Sequence, residues 1–192
     1  LITLVAILIS FCHLNHRQKT RHEYYDSVLF QDYFIKLRDF IKVVNPNLSP
    51  ERIDNITHLN LVYSQQYAVD LNLAIAIQAT ETHFDCTRKS NKGAISIWQI
   101  MPVNLKNICE TKGWNYNSID FSSSRNLDKQ IEAGYFWLAM LDKKHKNDQY
   151  NILIDWNSGQ KNIKKSNVGR HLLAKEIQNF VKQVQLNYKR LS

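Results

Sequence analysis

The sequence predicts an all-α, mainly helical domain with a short irregular or β-like insert near residues 86–100. Glycine and proline contribute only 5 and 3 of the 192 residues, roughly a third of their average share, so few residues bend or break helices. Several segments also repeat apolar residues at helical spacing. The glycines form no G-x-G-x-x-G, G-x-x-x-x-G-K or G-x-S-x-G motif, which argues against dinucleotide-binding, P-loop and nucleophile-elbow chemistry.

The chain opens with an apolar run over residues 1–14, LITLVAILISFCHL. This run is too short to span a membrane comfortably and fits the apolar region of a signal peptide. We therefore expect residues 1–20 to be a signal peptide or a membrane anchor, and the protein to be exported. Cys12 lies in a poor match to a lipobox because Phe11 is too large for its position, so lipidation is a minor alternative.

Three helices are predicted in the following third of the chain. Ser27–Val44 places its apolar side chains on one helical face. The Ser-Pro-Glu sequence at residues 49–51 is a strong helix start, because it combines a capping serine, a first-turn proline and an acid at the positive end. That helix is expected to run to about Tyr67. Asp70 or Asn72 then caps a third helix, LNLAIAIQATETHF, which is apolar on nearly every side and is therefore expected at the centre of the domain.

An irregular segment separates these helices from the later ones. Residues 85–101 carry charged and small side chains and then a short apolar stretch, typical of an irregular or strand-like segment. Amphipathic spacing predicts helices over Asn126–Lys144, from Ile152 to about Gly159, and over Leu172–Tyr188. No internal repeat is visible, so the helices are expected to form one domain.

The chain is basic, with a formal charge of +8. Residues 142–192 hold 11 Lys and Arg against 4 Asp and Glu, so most of the excess is local. A local basic surface attracts nucleic acid, anionic lipid or an acidic cell-wall polymer, although a solvated lysine-rich face explains the charge equally well. No nucleic-acid-binding motif is present, and nucleic acid is not expected as a partner.

Glu81 is the strongest candidate for chemistry. It is the only acidic residue between Asp70 and Asp85, and it lies in a strongly apolar stretch. Burial disfavours the charged form, so we expect the pKa of Glu81 to be raised. A carboxylic acid that stays protonated near neutral pH can donate a proton to a leaving oxygen. The alternative is a buried glutamate paired with a Lys or Arg from elsewhere in the fold.

Five sequence blocks follow one another in order: YAVDLNLAIAIQATETHFD, KGAISIWQIMP, NLDKQIEAGYFWLAMLDKK, WNSG and EIQNFVKQV. The series resembles the SLT-type lytic transglycosylase domain of bacterial cell-wall enzymes, which is similar in fold to goose-type lysozyme. The resemblance covers about residues 60–185, and Gln99–Pro102 together with Trp156–Gly159 is its most specific part. It implies a lysozyme-like domain at residues 59–188, preceded by a helical segment at residues 21–58.

The resemblance also implies a reaction and a site. Glu81 would be the single general acid/base of a peptidoglycan lytic transglycosylase, which cleaves the MurNAc–GlcNAc β-1,4 bond and forms a 1,6-anhydromuramyl product. No metal and no organic cofactor is expected. The residues implied to bind the substrate are Ser90, Gln99, Met101, Trp156, Asn157 and Phe180. Four of them also have a structural interpretation: Ser90 as a turn residue, Met101 as a core residue, Asn157 as a helix-end cap and Gln99 as a solvent-facing side chain.

Five positions depart from the family pattern. Thr82 replaces the usual Ser, Ser96 replaces a Gly at a tight turn, Trp98 replaces Met, and Trp156 and Phe180 each replace Tyr. Both tryptophans are large enough to stack on sugar faces and change the substrate fit. The change at residue 180 removes a hydroxyl that could form a hydrogen bond within the site.

Most glycosidases place two carboxyls on opposite sides of the bond, whereas the implied reaction needs one. Asp85, four residues after Glu81, would share its helix face if the helix continued, and so could not reach the far side of the sugar. Two alternatives remain open. One is a hydrolytic muramidase that uses a second acid and a water molecule; the other is a catalytically weak glycan-binding or scaffold domain of a cell-wall-spanning secretion apparatus.

Partners and location follow from the same resemblance. The expected partners are peptidoglycan strands and a secretion, pilus or conjugation complex, with membrane association through residues 1–14. The expected location is the bacterial periplasm or cell envelope. In an exported domain Cys86 and Cys109 could form a disulfide, and two free, part-buried thiols are the alternative.

Overall fold

The computed structural model describes residues 31–158 and 175–192. The chain divides into two compact units, Leu1–Leu37 and Arg38–Ser192. The described part of the first unit, residues 31–37, is helical. The second unit carries the family-like blocks.

Several predictions fall outside the described residues. They are the signal peptide or anchor at residues 1–20, the helix starts at Ser27 and Leu172, and the helix end near Gly159. Within the described residues, no helix has both the length and the apolar character needed to cross a membrane.

The second unit is helical, so the all-α prediction is confirmed. Its described helices are α1 (residues 38–44), α2 (Pro50–Tyr67), α3 (Leu71–Thr82), α4 (Pro102–Lys112), α5 (Leu127–His145), α6 (Gln149–Ser158) and α7 (Lys175–Leu191), with 3-10 turns at Tyr116–Ser118 and Ser124–Asn126. Helix α3 packs against α2 and α7, while α5 packs against α2 and α6.

Capping side chains set the starts of α2 and α3. The hydroxyl of Ser49 accepts a hydrogen bond from the backbone N–H of Arg52 at 3.2 Å, as the Ser-Pro-Glu start predicts. Of the two candidates for α3, Asp70 is the cap: its Oδ1 accepts from the N–H groups of Asn72 and Leu73 at 2.9 and 3.2 Å. These bonds satisfy amide groups that have no partner within a helix.

Helix α3 ends at Thr82, before Asp85. Asp85 could share the face of Glu81 only if the helix were longer. His83 adopts a left-handed backbone with φ of 54° and stops the helix after Thr82. The Asp85 carboxylate instead accepts hydrogen bonds from the N–H and hydroxyl of Thr87, at 2.9 and 2.7 Å. The helix does not continue through Asp85, so the condition under which Asp85 would share the face of Glu81 is not met.

A buried polar network joins three helices at the centre. The amides of Asn60 on α2 and Gln78 on α3 bond to each other, with distances of 3.3 and 2.6 Å. The hydroxyl of Tyr135 on α5 donates to the same Asn60 oxygen at 2.9 Å. All three residues are fully buried, so the network fixes α3 relative to its neighbours.

The irregular insert is present where the sequence predicts it. Its only β character in the described chain consists of isolated antiparallel bridges, between Lys89 and Ile95 and between Ile95 and Ile100. Ser96 has φ of 75°, the left-handed backbone that the family's glycine would adopt without strain. Cys86 and Cys109 are both buried and free, so no disulfide joins them.

The later helices differ from the predicted ones in several places, and α7 ends at Leu191 where Tyr188 was expected. Helix α4 was not predicted, although Pro102 at its start and Gly113 just past its end are a common helix signature. Helix α6 begins three residues before Ile152, because the Asp148 carboxylate accepts from the N–H of Tyr150 and of Asn151 and caps it.

Candidate active site

A cleft of about 220 Å³ opens where the end of α3 meets the insert and helices α4 to α7. Its described lining is Glu81, Ser90, Lys92, Ala94, Gln99, Ile100, Met101, Asn104, Trp137, Trp156, Asn157 and Glu176. Five of the six predicted substrate-binding residues are thus brought together with Glu81. Phe180 is the exception.

Glu81 is held in a nearly dry position at the end of α3. Its Oε1 accepts a hydrogen bond from the indole Nε1–H of Trp156 at 3.1 Å. Burial raises the pKa of Glu81 to about 7, and the bond from Trp156 opposes that rise only in part. Among the described residues no Lys, Arg or His forms an ion pair with Glu81. The carboxyl is therefore substantially protonated near neutral pH.

Glu176, at the start of α7, is the second acid in the described lining of the cleft. Its Oε1 lies 3.1 Å from Nζ of Lys92 on the insert. Both side chains are exposed, so the pair is weak and easily opened. The two acids therefore have different environments: Glu81 is largely buried and has its pKa raised to about 7, whereas Glu176 is solvated and paired. Sequence reasoning singled out neither Glu176 nor Lys92.

The insert uses two of the predicted binding residues to hold its own shape. The Gln99 amide nitrogen donates to the backbone oxygens of Arg88 and Ser96, both at 3.0 Å. The hydroxyl of Ser90 accepts from the N–H of Ala94 at 3.0 Å. Gln99 keeps its amide oxygen, and Ser90 its hydroxyl proton, as groups that could face a ligand.

The remaining predicted residues divide between cleft and core. Met101 immediately precedes α4 and is 39% exposed, and Asn157 lies in the last turn of α6. Phe180 is 9% exposed and belongs to the buried face of α7, along with Ile177 and Val184. Its position supports a packing role, and the structure does not place it in the lining of the cleft.

Of the two tryptophans expected to face the sugar, only Trp156 lines the cleft. Trp98 is fully buried, so the expectation that it could stack on a sugar face is wrong. Trp156 does line the cleft, as does Trp137 on α5. Sequence reasoning missed Trp137, although an aromatic side chain beside the apolar face of an amphipathic helix is a usable signal for a wall of a groove.

Within residues 31–158 and 175–192, no group of three or more His, Cys, Asp or Glu side chains is arranged to hold a metal ion. The polar side-chain groups of the described lining residues are amides, a hydroxyl, two carboxyls, one ammonium group and two indole N–H groups, a set suited to a neutral or weakly charged polar ligand.

A family model described as "Transglycosylase SLT domain" matches residues 58–179. The chain belongs to this family. The matched segment runs from α2 to α7 and contains Glu81 and every described residue that lines the cleft. No curated protein sequence matches the chain.

Two solved structures share the fold. One is an inactive mutant of the lytic transglycosylase Slt from Pseudomonas aeruginosa, with 19% identity, a TM-score of 0.56, and coverage of 68% of this chain and 22% of that one. The other is the 70 kDa soluble lytic transglycosylase SLT70 from Escherichia coli, with 18% identity, a TM-score of 0.61, and coverage of 85% and 29%. This SLT-family chain spans less than a third of the length of either.

Proposed function

We propose that the chain is a peptidoglycan lytic transglycosylase that cleaves the MurNAc–GlcNAc β-1,4 bond, with Glu81 as its single general acid/base. The observation that carries the proposal is one largely buried carboxyl, with its pKa raised to about 7, facing a cleft in an SLT-family fold. A neutral carboxyl can give its proton to a departing sugar oxygen, which an ionised one cannot do.

The chemistry needs no second carboxyl. Glu81 protonates the glycosidic oxygen as the bond from C1 of the muramyl sugar to that oxygen breaks, and the N-acetyl oxygen of the substrate helps to stabilise C1. The carboxylate then takes the proton of the muramyl C6 hydroxyl while O6 bonds to C1. The 1,6-anhydro product forms without water, and Glu81 recovers its proton.

The remaining cleft residues are proposed to bind the glycan. Gln99 and Ser90 offer hydrogen-bonding groups from the insert, and Asn157 offers an amide close to Trp156. Met101 adds an exposed apolar surface at the start of α4. Indole rings give flat apolar faces of the kind that sugar rings cover.

Location and partners belong to the same proposal. Peptidoglycan as the substrate favours export to the periplasm or cell envelope. We propose residues 59–188 as the catalytic domain, residues 21–58 as a preceding helical segment, and residues 1–14 as the membrane-associated part of a signal peptide or anchor. Association with a secretion, pilus or conjugation complex stays a prediction.

The deciding experiment digests purified sacculi with the wild-type protein and with Glu81→Gln. We expect soluble muropeptides with 1,6-anhydro ends from the wild type and a loss of about 10²–10⁴-fold in the variant, the usual contribution of a general acid/base. Glu176→Gln is the matched control, because it makes the same change at the exposed acid of the same cleft.

The chemical nature of the released ends separates the alternatives. Reducing ends, one water molecule heavier, would indicate a hydrolytic muramidase, and loss of activity in Glu176→Gln would identify its second acid. Binding to sacculi without any release would indicate a glycan-binding or scaffold domain. Equal activity of the wild type and a folded Glu81→Gln would remove Glu81 from the mechanism.

A further inference from the structure

Trp98 is a large side chain with an unusual environment. It is fully buried, and its Nε1–H has no hydrogen-bond partner among the described residues. An unpaired buried donor costs free energy, so hydrogen bonding does not explain an indole at this position. The shape of the ring is therefore the property to compare with its surroundings.

Two neighbours define that shape. The Trp98 ring meets Tyr135 edge-on, with centroids 5.5 Å apart and planes at 87°. On the α5 side it lies against the bare backbone of Gly134, where an added Cβ would stand 2.1 Å from Cε2 of Trp98. Such a contact is impossible without displacing the ring. Helix α5 thus forms a closely packed site for one large, flat side chain.

The Trp98 ring also contacts the indole that touches the proposed acid. The centroids of Trp98 and Trp156 lie 5.5 Å apart, and Trp156 donates from Nε1 to Oε1 of Glu81. An indole nitrogen can only donate. In a neutral carboxyl the better acceptor is the carbonyl oxygen, so a donor fixed at Oε1 leaves the proton on Oε2.

We propose that Trp98 is a positioning residue: it holds Trp156 so that Oε2 of Glu81 carries the proton to be transferred. The inference rests on the proposed function of Glu81. Trp98 itself does not touch the cleft and acts through the Trp156 ring. A rotation of that ring would move its N–H away from Oε1 and let the proton occupy either oxygen, which reduces the fraction of molecules ready to react.

A double-mutant cycle tests this relay. Turnover of sacculi is measured for the wild type, Trp98→Leu, Trp156→Phe and the double variant. We expect Trp98→Leu to lower kcat about tenfold, the effect of one lost hydrogen bond, with KM changed by less than about twofold. In the Trp156→Phe background the same change should have no further effect, because the group through which Trp98 acts is already gone. A full tenfold loss in both backgrounds, or none in either, would overturn the proposal.

Two controls separate positioning from folding. Phe121→Leu makes a similar aromatic-to-leucine change at another buried site and should leave kcat unchanged at a matched loss of thermal stability. Trp98→Phe keeps an aromatic ring against Tyr135 and should recover most of kcat.

The indole N–H resonance of Trp156 gives a direct readout by NMR. It should shift in Trp98→Leu and stay in place in Phe121→Leu; no shift in Trp98→Leu would contradict the relay. A wild-type protein that releases no anhydro ends would overturn the function and the relay together. An active wild type with an unaffected Trp98→Leu would overturn the relay alone.

Discussion

Burial of the Glu81 carboxylate lowers the unfolding free energy of the protein at neutral pH, and replacing Glu81 by Gln should restore it. The pKa of Glu81 rises from 4.5 to about 7 on folding, because desolvation disfavours the carboxylate. The unfolded chain therefore loses its proton at a lower pH than the folded chain. The protonated Glu81 therefore contributes its full stabilisation of the folded state below pH 4.5, and this contribution is lost as the pH rises through about 7.

The size of the effect follows from the same pKa values. A rise from 4.5 to about 7 corresponds to about 3 kcal/mol of unfolding free energy above pH 7. The neutral amide of Gln bears no such cost and can still accept the hydrogen bond from Trp156. Glu81→Gln should therefore be more stable than the wild type at pH 8, by up to about 3 kcal/mol, or roughly 6–12 °C in Tm for a chain of this size.

Thermal unfolding at pH 4, 6 and 8 measures this difference. The gain should be small at pH 4, should grow between pH 4.5 and 7, and should level off above pH 7. Glu176→Gln, the same change at an exposed carboxyl, should show no such growth. A stability difference between Glu81→Gln and the wild type that stays constant over this pH range would refute the desolvation argument, as would a destabilised variant at pH 8.

Three further predictions concern the site and the core. Trp156→Phe should move the alkaline limb of the pH–rate profile to higher pH, because the indole N–H of Trp156 lowers the pKa of Glu81 and its removal lets that pKa rise; an unchanged limb would contradict this. Asn60→Ala should cost about 2–3 kcal/mol in urea unfolding, since it leaves buried polar groups on two other helices unpaired; a cost below about 0.5 kcal/mol would show that the network contributes little. Reducing agent should leave Tm unchanged, because Cys86 and Cys109 are free, and a lower Tm would indicate a disulfide.

Local signals placed most of the helices correctly. The Ser-Pro-Glu start of α2 and the Asp70 cap of α3 act on backbone groups within three residues, so the sequence alone contains the whole interaction. Local pattern was insufficient where two readings compete, as for Asp85: the sequence allowed the helix to continue, whereas the left-handed backbone of His83 ends it.

The cleft was predictable only through the resemblance to a family. Ser90, Gln99 and Asn157 are ordinary polar residues, and nothing in their local sequence says that three separate segments meet at Glu81. Phe180 shows the limit of that route, because a residue matched to the family motif belongs here to the buried face of α7.

The sequence by itself determined the helical class, the buried setting of Glu81 and the direction of its pKa shift, because these depend on composition and on the apolar residues around one carboxyl. Only the tertiary structure decided which residues face that carboxyl. Trp156 lies 75 positions from Glu81 in the chain. Trp98 can pack against Trp156 only because Gly134 leaves space for its ring on α5. Contacts of this kind depend on how helices pack, which no local pattern contains.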